Sequence, residues 1–345
     1  MKVKLFVCYT LLILISFSGY SQERSIASGD KKYENLEYVD AIATYEKVAE
    51  KGYQDEKLFQ RLGNAYYFNA DFEKAAKWYS ALFSMNKNQG SEYLYRYSQT
   101  LKSTGEYDKA AKMLDQFNKA TGNDFRAKLY EKHKNYLEEI KSNSGRFEIV
   151  DAGINSEYSD YGGSFFGDKL VFASARDTGG VSKNIFKWNN QSFTNLYASK
   201  IGLDNNLEAP KRFDNKINSK FHESTPVFTK DGKTMYFTRN NFLDGKRGKD
   251  SKSVTLLKMY KSTLVDGQWA NIAELPFNSD NYSVAHPALS LDEKTLYFAS
   301  DMPGTLGQSD LFKVTINENG TYSSPENLGA KINTEGRETF PTISA

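Results

Sequence analysis

The chain is 345 residues long, 39% hydrophobic and 26% charged, enough length and apolar content for two packed domains, which excludes a wholly disordered chain. Lys and Arg number 45 against 43 Asp and Glu, and the first 21 residues hold Lys2 and Lys4 but no acid, so the remainder balances at 43 to 43. That balance leaves no electrostatic footprint for nucleic acid or an anionic membrane, and the 14% aromatic content suits folds that wedge rings between stacked repeats.

Residues 1–21 read as a signal peptide. Lys2 and Lys4 form its positive start, Leu5 to Phe17 its apolar core, and Gly19 and Ser21 the small pair before a cut at Gln22. The apolar run is short for a membrane span, which needs about 20 residues. Cys8, the single cysteine, lies inside this segment, so the processed chain is expected to have no disulfide and no cysteine-bearing metal site.

From residue 25 a helical repeat begins. Tyr38-Val39-Asp40-Ala41, Phe72-Glu73-Lys74-Ala75 and Tyr107-Asp108-Lys109-Ala110 recur at steps of 34 and 35 residues. The second copy is preceded by Leu62-Gly63-Asn64-Ala65-Tyr66. This L-G-x-x-Y…A-x-x-x-(Y/F) pattern resembles the tetratricopeptide repeat, a pair of antiparallel helices. Small residues such as Gly63 and Ala75 let the two helices approach, while Leu62, Tyr66 and Tyr79 fill the space between units. Ser25 and Lys32 stand where large apolar residues are expected, which predicts an irregular leading helix in the first unit. Residues 123–141 read as one polar-faced capping helix. The resemblance implies a concave face made by each unit's first helix. By repeat position that face carries Gln60, Asn64 and Tyr67, then Tyr95, Gln99 and Lys102, the expected partner-binding residues. Asn64 matches a polar position used by peptide-clamping members, but Gln60 replaces their base, which argues against a carboxylate clamp.

After Lys141-Ser142-Asn143-Ser144-Gly145 the pattern turns to alternation with Gly, Asn and Asp turns. Ile154-Asn155-Ser156, Ile217-Asn218-Ser219, Phe277-Asn278-Ser279 and Ile332-Asn333-Thr334 open four copies, their asparagines 63, 60 and 55 residues apart. The first three run into strand pairs ending in Leu170-Val171-Phe172, Met235-Tyr236-Phe237 and Leu296-Tyr297-Phe298. A third strand is expected at Asn184-Ile185-Phe186-Lys187, Lys258-Met259-Tyr260-Lys261 and Asp310-Leu311-Phe312-Lys313, and outer strands last. Four strands per repeat describe a propeller blade. The D-G-K-x-(L/M)-Y-F-(A/T)-S motif with Pro226, Pro287 and Pro341 resembles TolB-type, WD-like blades. Together with the preceding helical array it is similar to OmpA-family cell-envelope proteins. Three blades and the first strand of a fourth are expected, short of the about four to eight of a closed ring.

On these spacings Phe172 to Phe186 and Phe298 to Phe312 are each 14 residues, whereas Phe237 to Tyr260 is 23, marking an insertion in the second blade. It contains Lys246, Arg247 and Lys249, expected as a flexible basic loop that could contact an acidic partner. His133 is expected on the capping helix, His222 and His286 in inter-blade connections as satisfied or solvated surface groups. Asp301 and Asp310 are expected to cap turns. No nucleophile elbow, phosphate loop or zinc-helix motif is present, so neither a cofactor nor a metal nor a catalytic residue is assigned.

The expected fold is therefore α+β multidomain: a signal peptide at 1–21, an all-α tetratricopeptide-type solenoid with its cap at 22–143, and an incomplete all-β propeller at 147–345. The expected function is a non-catalytic, exported scaffold of the periplasm, associated with the outer membrane and linking envelope or secretion-machinery proteins. Its partners would be other envelope proteins or peptides, not nucleic acid, and peptidoglycan only through a carboxy-terminal module absent from these residues. The alternatives are the amino-terminal propeller part of a hydrolase and a glycan-binding propeller.

Overall fold

The computed structural model describes residues 22–176 and 185–344, so the signal-peptide reading of 1–21 lies outside the described residues. The chain divides into two compact units, one of residues up to 134 with 186–190, the other of 135–185 and 191–345.

The first unit is a run of antiparallel helices: α1 (22–34), α2 (Tyr38–Ala49), α3 (Glu56–Phe68), α4 (Phe72–Met85), α5 (Ser91–Ser103), α6 (Tyr107–Thr121) and α7 (Phe125–Lys132). Aspartates start several of them. Asp55 accepts from the Leu58 N–H at 3.0 Å, Asp71 from Lys74 at 3.2 Å and Asp124 from Arg126 at 2.9 Å, each satisfying a donor that the first turn leaves orphaned. Within a pair, a glycine on the first helix faces a tyrosine on the second. A Cβ on Gly63 would stand 2.5 Å from Tyr79 Cε1, and one on Gly29 2.6 Å from Tyr45 Cε1. Both rings are fully buried. The third pair carries Ser98 and Leu114 at these positions, both buried: a larger residue on one helix and a smaller one on the other. Contrary to expectation α1 is regular, because Gly29 seats Tyr45 and Lys32 reaches Thr44 Oγ1 at 2.9 Å instead of meeting apolar neighbours. Segment 186–190 packs in this unit, with Trp188 edge-on to Tyr38 at 4.7 Å and its Nε1 donating to the Phe68 carbonyl at 3.2 Å.

The single capping helix is corrected to two short ones. Helix α7 ends at His133, whose φ of −123° and ψ of 48° leave the helical region, and α8 (Tyr136–Ser142) clusters with the second unit.

The second unit holds three four-stranded antiparallel sheets, each a meander in chain order. The first is β1 (Asp160–Phe166), β2 (Lys169–Ser174), β5 (Asn195–Lys200) and β6 (Lys211–Arg212), with β3 (Ile185–Phe186) and β4 (Gln191–Ser192) forming a separate ribbon. The second is β7 (Glu223–Phe228), β8 (Thr234–Asn240), β11 (Leu257–Val265) and β12 (Gln268–Glu274), with a ribbon of β9 (Phe242–Leu243) and β10 (Lys246–Arg247). The third is β13 (Val284–Leu289), β14 (Thr295–Ser300), β15 (Asp310–Thr315) and β16 (Glu326–Asn327). Among the described residues no sheet closes on itself.

The expected third strand of the first sheet is corrected. Phe172 pairs with Tyr197, 25 residues on, while Ile185 stays 37% exposed in the side ribbon. Leu196 and Tyr197 are fully buried and so outcompete the similar Ile185-Phe186. The second sheet, where Phe237 pairs with Tyr260, is then no exception; the third, where Phe298 pairs with Phe312, is the short one.

The first strand of every sheet is bulged at a left-handed residue: Gly162 (φ 66°), Thr225 (46°) and His286 (59°). Only glycine fits the first, since a Cβ there would meet Thr225 Cγ2 at 3.0 Å. The other two bear side chains at some cost in strain, held by Thr238 Oγ1, which lies 2.9 Å from Thr225 Oγ1 and accepts the His286 N–H at 2.8 Å. The expected fourth opening strand is not a strand: Phe340 (φ 52°) is in irregular chain, stacked on His286 at 3.8 Å and edge-on to Tyr161 at 5.9 Å.

Candidate partner-binding surfaces

The expected groove residues lie on α3 and α5, and their geometry separates them into two groups. Asn64 is 5% exposed, and its Oδ1 accepts both the Tyr79 hydroxyl and Arg96 Nη1 at 2.8 Å. Gln60 donates to Gln89 Oε1 at 2.9 Å. These two amides tie helices together. Tyr67, Tyr95, Gln99 and Lys102 remain half-buried, with part of each side chain facing water. Burial holds the Tyr67 and Tyr95 hydroxyls above their usual range, so both stay protonated donors, and burial pushes the Lys102 ammonium down.

Sequence reasoning missed the arginines. Arg61 lies over the Tyr33 ring at 4.8 Å and Arg96 over Phe68 at 5.0 Å, the same step back in each repeat. Arg126 lies over Tyr95 at 4.4 Å. Each is neutralised within the unit: Arg61 by Asp30 and Glu34 at 3.1 Å, Arg126 by Glu92 at 2.6 Å and Asp124 at 2.7 Å. They cross-link successive helix pairs through cation–π and charge contacts. The 35-residue step from Arg61 to Arg96 was the available signal. The surface left for a partner is thus tyrosine, amide and Lys102, with the arginines already engaged.

Lys246, Arg247 and Lys249 are all exposed. The first two sit on β10, register Leu243↔Lys246 and Phe242↔Arg247, so the expected basic loop begins as a hairpin with these side chains at its tip. Arg247 lies over Phe221 at 5.8 Å, leaving its guanidinium accessible.

The sheet corners carry charge pairs. In the first sheet Asp160 meets Arg176 at 2.9 Å and accepts the Ser156 N–H at 2.6 Å. In the second, Glu223 meets Arg239 at 2.9 Å and accepts the Ser219 N–H at 2.9 Å, both side chains buried. Burial pushes the Glu223 carboxyl up while Arg239 and Ser219 pull it back; at Asp160 burial also raises, but hydrogen bonds from Ser174, Ser156 and Arg176 bring the group below its usual value. These pairs fix strand entry. Asp301 and Asp310 do similar work, accepting from Ser283 N at 2.6 Å and Leu306 N at 2.8 Å.

The histidine expectation is corrected for His286, which lies within β13 and not in a connection. His222 and His286 are both half-buried, and the burial they have pushes both imidazoles down to about 4. His222 Nδ1 accepts the Thr194 N–H at 3.1 Å. Among the described residues no three His, Cys, Asp or Glu side chains are grouped to hold a metal ion. An open cleft of about 440 Å3 is lined by Lys216, Asn218, Arg239, Asp244, Trp269 and Asn271. Arg239 is committed to Glu223, and Trp269 is packed among Phe166, Phe213 and Phe228 at 5.6–6.0 Å.

No protein-family model matches the chain, and no curated protein does. Among solved structures, the C-terminal tetratricopeptide-containing domain of an FK506-binding protein from Plasmodium falciparum is 20% identical, with 36% of this chain and 93% of that one covered and a TM-score of 0.29. A puromycin-hydrolyzing peptidase from Mycobacterium tuberculosis is 13% identical over 51% of this chain and 24% of its own, with a TM-score of 0.32. An alpha-L-arabinofuranosidase from Lactobacillus brevis is 15% identical over 52% and 57%, with a TM-score of 0.29. The expectation of a non-catalytic chain is therefore withdrawn, because the β unit is similar to structures of hydrolases. Likeness at this level assigns no reaction. The helical unit is of tetratricopeptide type on its own geometry, antiparallel pairs at a 34–35-residue step with a small residue against a ring.

Proposed function

We propose that this chain is an exported scaffold of the cell envelope, with a tetratricopeptide-type groove for a protein segment and three blades of a TolB-type propeller, in the manner of OmpA-family envelope proteins. The observation that carries the reading is the line of half-exposed Tyr67, Tyr95, Gln99 and Lys102 on α3 and α5. Rings and amides on neighbouring first helices suit an extended segment, whose backbone they can hydrogen-bond and whose apolar side chains they can cover. The order of the two repeat arrays supports placing the groove and the sheets in one envelope protein. Linking two binding surfaces raises the effective concentration of one partner near the other.

A photo-cross-linking residue at Gln99 tests this in cells expressing the full chain. Adducts are expected from Gln99 and not from Lys112, an exposed position on α6, with the protein in the outer-membrane fraction and beginning at Gln22. Equal adducts from both positions, or a cytoplasmic protein, would overturn the proposal.

A further inference from the structure

The asparagine that opens each sheet repeat clasps the sheet before it. Asn218 accepts the Leu196 N–H at 2.7 Å and donates to the Leu196 carbonyl at 3.0 Å. Asn278 does the same to Met259 at 3.0 and 2.7 Å, and Asn333 to Leu311 at 2.8 and 3.1 Å. Each clasped residue belongs to a third strand, and the next residue of that strand is Tyr197, Tyr260 or Phe312. That aromatic pairs with Arg212, Glu274 or Asn327 of the outer strand. Just past each pair, the N–H of Phe213, Leu275 or Leu328 donates to the clasped carbonyl at 2.9, 3.2 and 3.1 Å. Outer strand and clasp form one unit, read in chain order as a pairing residue, a donor and an asparagine.

Asn155 is the fourth copy, and it is exposed. Its Nδ2 reaches Asp151 Oδ1 of its own segment at 3.3 Å, and among the described residues it clasps no strand. By the spacing of Arg212, Phe213 and Asn218, the pairing residue is Ile149 and the donor Val150. They lie in Arg146-Phe147-Glu148-Ile149-Val150, where Phe147 is 80% exposed, Ile149 93% and Val150 74%. An apolar strand sequence, its donor and its clasp thus stand together with no third strand between them.

We infer that residues 146–155 are a docking edge for a β-hairpin of this repeat's own kind, entering through a third strand that carries Leu or Met followed by Tyr or Phe. Asn155 takes both backbone groups of the apolar residue, Val150 donates to its carbonyl, and Ile149 pairs with the aromatic. A second copy of this chain does not fit, because its three such strands are already clasped by Asn218, Asn278 and Asn333. The inference rests on the sheet repeat and not on the helical groove, so its test and the cross-linking test fail separately.

The probe is a peptide of residues 292–316, the second and third strands of the third sheet, added to the full chain and followed by amide hydrogen exchange. Saturable slowing of exchange at Ile149 and Val150 is expected. Asn155→Ala should weaken peptide binding about tenfold, the loss of two backbone bonds at an exposed edge. Val150→Pro, which removes the donor, should act alike. Unchanged exchange at saturating peptide, or slowing that survives Asn155→Ala, overturns the assignment. So does concentration-dependent dimerisation of the chain that Asn155→Ala abolishes, since the edge would then accept a second copy.

Discussion

The two repeat arrays are joined by different chemistry. In the helical unit, successive elements meet through shape: a glycine against a buried tyrosine within a pair, an arginine over a ring between pairs. In the sheet unit, successive sheets meet through one asparagine that occupies the N–H and C=O of a single residue. Shape is shared among many atoms and can be re-divided, as Ser98 and Leu114 do where the other pairs have glycine and tyrosine. A bidentate backbone clasp has no such substitute, because a side chain must present a donor and an acceptor at once. The β array therefore repeats an identity, Asn, where the helical array repeats a sum of sizes.

Overpacking is the strongest way to break the helical side of that contrast. Gly63→Val places a Cβ into a ring that is fully buried, and should cost about 3 kcal/mol in the helical transition of a thermal melt. Adding Tyr79→Leu should return part of that loss, since the third pair lives with the smaller partner; a strictly additive double mutant would show that size is not what the pair shares. In the sheets, Asn278→Ala strands the N–H of the fully buried Met259, whose carbonyl keeps the Leu275 N–H, and should cost about 1–3 kcal/mol in the β transition, while Asn155→Ala stays within about 0.5 kcal/mol. Equal losses at the two asparagines would refute the clasp.

This asymmetry also explains what was legible in the sequence. The clasp sits at a narrow range of distances: Leu196 precedes Asn218 and Leu311 precedes Asn333 by 22 residues, and Met259 precedes Asn278 by 19. Counting back from Asn218 would have found the third strand of the first sheet, which local alternation misplaced at Ile185-Phe186. The helical period located Gly63, Asn64 and Tyr79 correctly by repeat position. It could not show that the Tyr79 hydroxyl and Arg96 would consume Asn64, because those partners are 15 and 32 residues away and chosen by packing. Likewise nothing in the sequence around His222 or His286 distinguishes a half-buried imidazole from an exposed one.

Acid sharpens the comparison next. The His222 imidazole is pushed from 6.5 to about 4 by burial, and a protonated Nδ1 could no longer accept from Thr194. The unfolded chain then binds the proton more tightly, so this group's contribution is present above about pH 6.5 and is lost as pH falls toward 4. Glu223 runs the opposite way, its raised carboxyl favouring the folded state as pH falls, so the whole-unit profile mixes the two. His222→Asn, which keeps an acceptor for Thr194 but cannot titrate, isolates the histidine. Between pH 7 and pH 5 the wild-type β transition should lose roughly 2 kcal/mol relative to this variant. Parallel profiles would mean that the imidazole is hydrated in solution. In the helical unit Asp30 is held below its usual carboxylate value: burial raises it, but hydrogen bonds from Lys57 and Tyr45 and the charge of Arg61 outweigh that. Its contribution persists to below about pH 4, so the helical transition should be steady across the window in which His222 titrates.

The smallest effect is expected where neither joining device operates. The β9–β10 hairpin belongs to no repeat position, and its turn is set by Asp244 and Gly245, both left-handed at φ 50° and 80°. Two such residues in succession match a type I′ turn, whose twist suits the two paired strands. Backbone pairing from Phe242 to Arg247 then holds the tip, and the basic side chains add only the Arg247 contact over Phe221. Replacing Lys246, Arg247 and Lys249 together by Gln should therefore leave both melting transitions within about 0.5 kcal/mol, the lost Arg247–Phe221 contact included. Gly245→Val, a single change that removes no charge, should cost about 1 kcal/mol or more by forcing a β-branched residue into a left-handed turn. The reverse ranking would mean that the charges, not the turn, organise this tip. With the ranking as stated, the three bases are stably presented and free of structural duty, and any loss of binding to an acidic partner in the triple variant can be read as loss of contact rather than loss of fold.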